Sequence, residues 1–340
     1  MKAIALAASL SACLVLVSTA AIKPEAPAGP LLARTSAKSV RFPDVLYRDG
    51  ALARNKAALD KPGGYGYHPK PGGARAADLA FFESDILLNN DVVAYYGSPN
   101  SDVMGILGAY PIEKLGPMLE SLAKEYDALN GDRGVVPAFY LIYGTVWPGG
   151  AIGYLSDDVV KKYVEYALER RWLVYLDHQL GRYGVGESVD KLLRWLRYPN
   201  VQLAIDPEWH TDKPMREIGS ITWEELNDAQ RRIADYMSEQ GMPGWRQLVV
   251  HQFKTHMIQG WPKVKADMDP VVLVHCADGF GAPEVKRQTY AWNASVTTMP
   301  IKSFKLFYKS HFELAGFDHP LMSPEEVMRL KPRPQLIMYQ

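Results

Sequence analysis

The stretch "VQLAIDPEWH" sets two carboxylates, Asp206 and Glu208, one residue apart at the end of an apolar run. Residues two apart on an extended chain point to the same face. An extended Pro207 would therefore hold the two carboxyls roughly 5–7 Å apart, from a rise of ~3.3 Å per residue. Neighbouring carboxylates repel, so one of them keeps its proton near neutrality. A proton donor beside a stabilising carboxylate is what cleavage of a glycosidic bond requires. The plainer alternative is that Asp206 caps the following turn and Glu208 pairs with a surface arginine.

Other polar residues close similar runs. "WLVYLDHQ" ends in Asp177, His178 and Gln179; "RQLVVHQF" carries His251 and Gln252; "VVLVHCADG" carries His275 and Asp278. With Asp206 and Glu208 these supply the candidate catalytic set Asp177, Asp206, Glu208, His251, His275 and Asp278. Candidate substrate contacts are Tyr95, Tyr96, Tyr143, His178, Gln179, Trp209, Gln252, Tyr308 and Tyr339. Their aromatic members, with Trp147, Phe253 and Phe280, offer stacking platforms for sugar rings. Cys276 sits beside His275, and with His275 taken as inward it is expected to face outward as a small hydrophobe.

These groups need a scaffold that gathers strand ends. From Asp91 onward, eight short runs rich in β-branched and aromatic residues begin near 91, 135, 172, 201, 246, 271, 301 and 335. Amphipathic helical patterns lie between them with start signals: Ser156 before "DDVVKKYVEYALERR", Thr222 with Glu225, and Ser323 with Pro324. Eight strands, each but the last followed by a connection long enough for a crossover helix, predict a single α/β domain, a (β/α)8 TIM barrel, over 86–340. In that fold, side chains at the C-terminal strand ends form the site. An open doubly wound sheet is the competing architecture.

The chain has 340 residues, with Lys plus Arg and Asp plus Glu balanced at 38 each, so no global field draws it to nucleic acid or anionic lipid. Residues 1–21 read as a signal peptide, with Lys2 ahead of an apolar region and small residues near Ala20. "LSAC" at Cys13 also fits a lipid-anchoring signal, so membrane contact is expected only through the signal or that anchor. Residues 22–85, rich in Pro and Gly, read as an extended lead-in. Export to the periplasm, envelope or exterior follows as an expectation.

The Asp-x-Glu ending on strand four resembles that of chitinase-type and family-25 lysozyme-type barrels. The resemblance implies Glu208 as general acid and Asp206 as the helper of a substrate N-acetyl group. The longer aspartate ladder of the chitinases is absent, and "IKSFKLFYK" on strand seven has no acid to serve as nucleophile. A retaining enzyme would then need substrate assistance or a covalent role for Asp177 or Asp206. More widely, "YYGSP", "LDHQLGR", "LAIDPEW", "IGSITWEELN", "VVHQF", "VHCADGFG" and "RPQLIMYQ" are similar in order to a group of exported bacterial proteins, often lipoproteins, predicted to be glycosidase-like TIM barrels. That group implies fold and export but brings no reaction.

The reading is thus a glycoside hydrolase-like barrel acting on a cell-envelope or environmental glycan without a cofactor. Two alternatives stay open. One is a hydrolase using a divalent metal on the same Asp, Glu and His residues, although no His-x-His occurs on strand one. The other is a carbohydrate-binding barrel without catalysis.

Overall fold

A computed structural model of the chain describes residues 81–312 and 315–340. The expected signal segment, the Cys13 anchor and most of the lead-in lie outside the described residues. Eight parallel strands form a closed barrel: β1 (Asn90–Gly97), β2 (Gly134–Val146), β3 (Leu173–His178), β4 (Val201–Ile205), β5 (Arg246–Gln252), β6 (Val271–Ala277), β7 (Ile301–Leu306) and β8 (Leu336–Tyr339). Each strand pairs with its neighbours in chain order, and β1 closes the ring by pairing with both β2 and β8. All eight sequence runs are strands, and the open-sheet alternative is excluded by that closure.

Alternation splits the strands into two apolar layers. Val92, Ala94, Tyr140, Tyr175, Ala204, Val249, Val274 and Cys276 fill the barrel interior. Val93, Phe139, Val174, Leu203, Leu248 and Leu273 face the surrounding helices. The phase on β6 is therefore opposite to the expected one: Cys276 points inward and His275 outward. Alternation on β6 runs inward through Val274 and Cys276 to Asp278, which leaves His275 on the helix side.

Besides two four-residue helices, Ile86–Asn89 and Ile106–Ala109, the helices among the described residues are α1 (Ile112–Asp127), α2 (Asp157–Leu168), α3 (Val185–Leu193), α4 (Trp223–Glu239), α5 (Pro283–Ser295) and the short α6 (Pro324–Met328). Ser156 caps α2 by accepting from the Val159 N–H. Thr222 with Glu225, and Ser323 with Glu326, form capping boxes that satisfy the first backbone donors of α4 and α6. Between β5 and β6 no α-helix forms; two 3-10 turns, Thr255–Met257 and Trp261–Lys263, make the crossover instead. Gly260 and Pro262 punctuate that segment and leave no room for a periodic apolar face. Below the barrel, Phe82, Ile86 and Leu87 are buried in the interior cluster, at the N-terminal strand ends. Arg133 secures this floor by donating to Leu87 O, Leu88 O and Asp91 Oδ1, each at 2.8 Å.

Candidate active site

Seven barrel strands deliver one inward polar side chain each to a single ring at their C-terminal ends. The members are Tyr96 (β1), Tyr140 (β2), Asp177 (β3), Asp206 (just after β4), His251 (β5), Asp278 (just after β6) and Lys305 (β7). Gln340, just after β8, joins them at the cavity wall. Tyr96 donates to Asp177 Oδ2 at 2.8 Å. His251 Nδ1 lies 2.8 Å from Asp278 Oδ2, and its Nε2 lies 2.8 Å from the Tyr140 hydroxyl and 3.8 Å from Asp177 Oδ2. Lys305 Nζ completes the circuit, 3.1 Å from Asp278 Oδ2 and 3.9 Å from the centre of the Tyr96 ring.

Gly279 fixes the end of β6. Its φ of 90° is a conformation that side-chain-bearing residues resist, and it aims its own N–H at Asp278 Oδ1, 2.6 Å away. Burial alone would raise Asp278, but Lys305, His251 and the Gly279 N–H outweigh it and hold the carboxyl well below the usual carboxylate range. An ionised Asp278 only accepts, so the proton between it and His251 resides on Nδ1. Burial opposes charge on His251 as well. The Cys276 thiol, Asp177 and the bond to Asp278 prevail and lift the imidazole well above its ordinary range.

Four carboxylates thus meet two cations. Asp278 meets both cations, whereas Asp177 accepts from the Tyr96 hydroxyl and lies 3.8 Å from His251, and burial still raises its carboxyl above the usual range. Among the described residues, Asp206 and Glu208 have no ion pair with a cation. Burial, and then the charge of Asp177 and Asp278, pushes Asp206 up to about 7 even though His251 is close. Burial followed by the charges of Asp206 and Asp278 raises Glu208 well above the usual range. Glu208 is only half-buried and opens onto the cavity, which is also lined by Tyr96, Gln179, Trp209, Phe253 and Phe280. The arrangement holds a protonated acid at the mouth and a carboxylate of intermediate proton affinity behind it.

The chain reaches this geometry differently from the extended form expected at Pro207. Pro207–Trp209 is a 3-10 turn, and Asp206 caps it by accepting from the Glu208 N–H at 3.3 Å. The capping role and the cavity-facing role coexist, and Glu208 turns to the cavity and not to a surface arginine.

Of the six candidate catalytic residues, Asp177, Asp206, Glu208, His251 and Asp278 converge. His275 does not. It faces the helix layer, where Nε2 lies 2.8 Å from Gln252 Oε1 and Nδ1 lies 3.3 Å from Lys302 Nζ. Lys302 in turn donates to Asn293 O and to Val296 O (2.5 and 2.8 Å), capping the end of α5. Among the candidate substrate contacts, Tyr96, Gln179 and Trp209 line the cavity. Tyr95, Tyr308 and Tyr339 lie outside the barrel, with Tyr339 Oη 2.7 Å from Tyr126 Oη and stacked on Tyr308. Tyr143 packs against Trp195, Gln252 serves His275, and His178 Nε2 lies 3.3 Å from the Tyr154 hydroxyl. Burial pulls that imidazole down to about 4, so it is neutral at physiological pH. All six stand an odd number of residues from the ring member of their strand, one or three, and so lie out of phase with it.

Lys305 and Tyr140 belong to the site but were absent from the candidate set. Their signal was present: each stands an even number of residues from an inward neighbour, Ser303 in one case and Ala138 in the other. A second buried group shapes the mouth. Lys286 on α5 donates to Gly279 O at 2.6 Å and to Lys305 O, and lies 3.4 Å from Asp318 Oδ2. Asp318 accepts from the Gly281 and Phe307 N–H groups (2.9 and 3.0 Å). The Lys286–Asp318 pair therefore ties the loop after β6 to the loop after β7, and Phe280, Phe307 and Gly316 from these loops form one wall.

Asp206, His251 and Asp278 also bring one ligand atom each within 4.8 Å of one another, the disposition of a metal site. The fit is poor. Both nitrogens of His251 are engaged, and Asp278 Oδ2 already receives His251 and Lys305.

No family model matches this sequence, and no curated protein does. Among solved structures, the chain is similar to a chitinase from Chromobacterium violaceum at 9% identity, covering 64% of this chain and 68% of that one, with a TM-score of 0.36. It is similar to endo-glycoceramidase II from Rhodococcus sp. at 12% identity, covering 76% and 75%, with a TM-score of 0.41. It is also similar to the β-glucanase SdGluc5_26A from Saccharophagus degradans at 14% identity, covering 74% and 79%, with a TM-score of 0.39. The barrel assignment rests on the strand pairing itself.

Proposed function

We propose that the protein is a glycoside hydrolase-like enzyme that protonates a glycosidic oxygen with Glu208. The observation that carries this reading is the pairing left over in the ring. Two cations meet Asp278 and Asp177, while Asp206 and Glu208 stand together with raised proton affinity at an aromatic-lined cavity. A protonated Glu208 supplies the acid. Asp206, in its ionised form, faces the positive charge that develops on the sugar. Trp209, Phe253 and Phe280 offer apolar faces for sugar rings.

The substrate in this reading is a glycan of the cell envelope or the surroundings, reached by export through residues 1–21. No cofactor takes part. The deciding experiment is a hydrolysis screen over β-linked glycans, including N-acetylated ones, with wild type and Glu208→Gln, each with and without EDTA. Turnover that Glu208→Gln loses and EDTA leaves intact supports the proposal. EDTA-sensitive turnover favours a metal-dependent hydrolase on Asp206, His251 and Asp278. Glycan binding without turnover, unchanged in Glu208→Gln, favours a carbohydrate-binding barrel.

A further inference from the structure

The cavity is lined by two acids whose lone pairs the protein leaves free. Among the described residues, the Glu208 carboxyl makes no hydrogen bond and no ion pair. Asp206 lines the same cavity, is only 2% exposed, and accepts one hydrogen bond, from the Glu208 N–H to Oδ1 at 3.3 Å. Its other oxygen, Oδ2, has no hydrogen-bond partner among the described residues. The charged groups around Asp206 are Asp177 on β3, Glu208 on its own turn, His251 on β5, Asp278 after β6 and Lys305 on β7. Both cations are engaged elsewhere. His251 Nδ1 and Lys305 Nζ lie 2.8 and 3.1 Å from Asp278 Oδ2, and Lys305 also sits over the face of Tyr96. Four carboxyls against two cations leave the ring two positive charges short when all are ionised. Trp209, Phe253 and Phe280 line the cavity beside these acids, and aromatic faces attract cations as well as sugar rings.

We infer that the substrate carries a free primary ammonium, as in a glycan of de-N-acetylated amino sugars, and that Asp206 receives it. The inference rests on the glycan reading of the cavity proposed above and adds the chemical class. One proton on Glu208 and one ammonium beside Asp206 supply the two missing positive charges, and Glu208 remains the acid. A primary ammonium suits the place because it donates hydrogen bonds, and Asp206 Oδ2 is an acceptor with none to accept. A sugar hydroxyl can donate there as well but leaves the charge uncompensated. An N-acetyl group removes the charge and adds bulk. The chemistry gains too. An ammonium on the carbon beside the reacting one opposes the positive charge that develops on the sugar, and a carboxylate in contact with it offsets that opposition. Burial holds Asp206 protonated up to about 7, so docking of an ammonium below that pH releases the proton.

The test uses the full chain carrying Glu208→Gln, so that no ligand is turned over, and the same chain with Asp206→Asn added. Oligomers of glucosamine, N-acetylglucosamine and glucose, of equal length and linkage, are the probes. Calorimetric titration just below the pH at which Asp206 ionises is run in two buffers of different ionisation enthalpy, which reads the protons released on binding. Glucosamine oligomers should bind roughly ten-fold or more tightly than glucose oligomers, the weight of one charged hydrogen bond. They should also release protons that glucose oligomers do not. Adding Asp206→Asn should remove both the preference and the release while leaving the affinity for glucose oligomers in place. Equal or tighter binding of the glucose or N-acetylated oligomers, a preference that survives Asp206→Asn, or binding of none of the three overturns the inference. Should the double variant not fold, the affinity order and proton release of the single variant decide. Hydrolysis by wild type keeps the two readings apart. Turnover of a neutral glycan that depends on Glu208, with no preference for ammonium, sinks the inference and keeps the hydrolase; ammonium-selective binding with no turnover of any probe does the reverse.

Discussion

His251 Nδ1 sits 2.8 Å from Asp278 Oδ2, with both groups buried, so that one carboxylate anchors an imidazolium and, through the same oxygen, the Lys305 ammonium. Breaking a buried pair leaves an uncompensated charge and costs about 3–5 kcal/mol. His251→Asn should destabilise the protein on that scale in chemical denaturation. The effect has a pH window. Asp278 has a depressed folded pKa, so its contribution is present above about 4 and fades as pH falls towards its folded value. His251 has a raised one, so its contribution is full below about 6.5 and fades as pH rises through its folded value. The gap between wild type and variant should be widest between these limits; a gap constant from about pH 3 to 9 would contradict the assignment.

Asp206 behaves in the opposite sense. Its folded pKa is raised to about 7, so the folded state holds a proton that the unfolded chain releases near pH 4. Stability is therefore lost as pH climbs through that interval. Asp206→Asn should melt near wild type at about pH 4 and increasingly above it up to about pH 7. Melting curves taken across the range read this directly.

Glu208→Gln should lower hydrolysis of any substrate that wild type cleaves by roughly 10²–10⁴-fold, the usual weight of a general acid. Its melting temperature at neutral pH should stay equal or rise, because a half-buried carboxyl beside the charges of Asp206 and Asp278 is gone. In wild type the alkaline limb of the kcat profile should follow Glu208 and lie well above the usual carboxylate range.

His275 supplies a structural contrast. Replacing it with Leu leaves Gln252 Oε1 without its buried donor and removes one of the contacts of Lys302, which still donates to Asn293 O and Val296 O, at about 1–3 kcal/mol for the desolvated amide oxygen. Turnover by the folded fraction should match wild type. A large fall in kcat at full folding would return His275 to the reaction.

The Lys286–Asp318 pair holds the cavity wall from behind. Asp318→Ala removes acceptors from the Gly281 and Phe307 N–H groups and leaves Lys286 buried without its anion. Hydrogen exchange at these two amides should accelerate, while amides of β3 and β4 stay protected. Uniform acceleration across the barrel would mean that the pair supports the whole fold and not the wall.

The barrel was legible because eight apolar runs, each buried on both faces, announce strands more plainly than any motif does. Asp177, Asp206, Glu208, His251 and Asp278 were legible because a charged residue closing such a run has few structural uses. What was misread was phase. Tyr95 and Tyr96 are adjacent and cannot both face inward, and His275 and Asp278 stand three apart, an odd interval that separates them across the sheet. Taking Asp278 as inward would have set His275 outward and Cys276 inward from the sequence alone. On strand seven Lys305 and Tyr308 both stand near the rim, and the odd interval between them places Lys305, and not Tyr308, in the ring. The Lys286–Asp318 pair was beyond sequence reasoning, since it joins α5 to a loop 32 residues later with no periodic pattern between them.

The ring of one polar side chain per strand couples folding fidelity to chemistry. A slip of one residue in any single strand exchanges its ring member for the outward neighbour, Lys305 for Phe304 or His251 for Val250, and sends the charged group into the helix layer. Such a chain would lose its acid–base balance and bury an unmatched ion at the same stroke. The charges gathered in the ring therefore also proofread the register of the barrel that carries them.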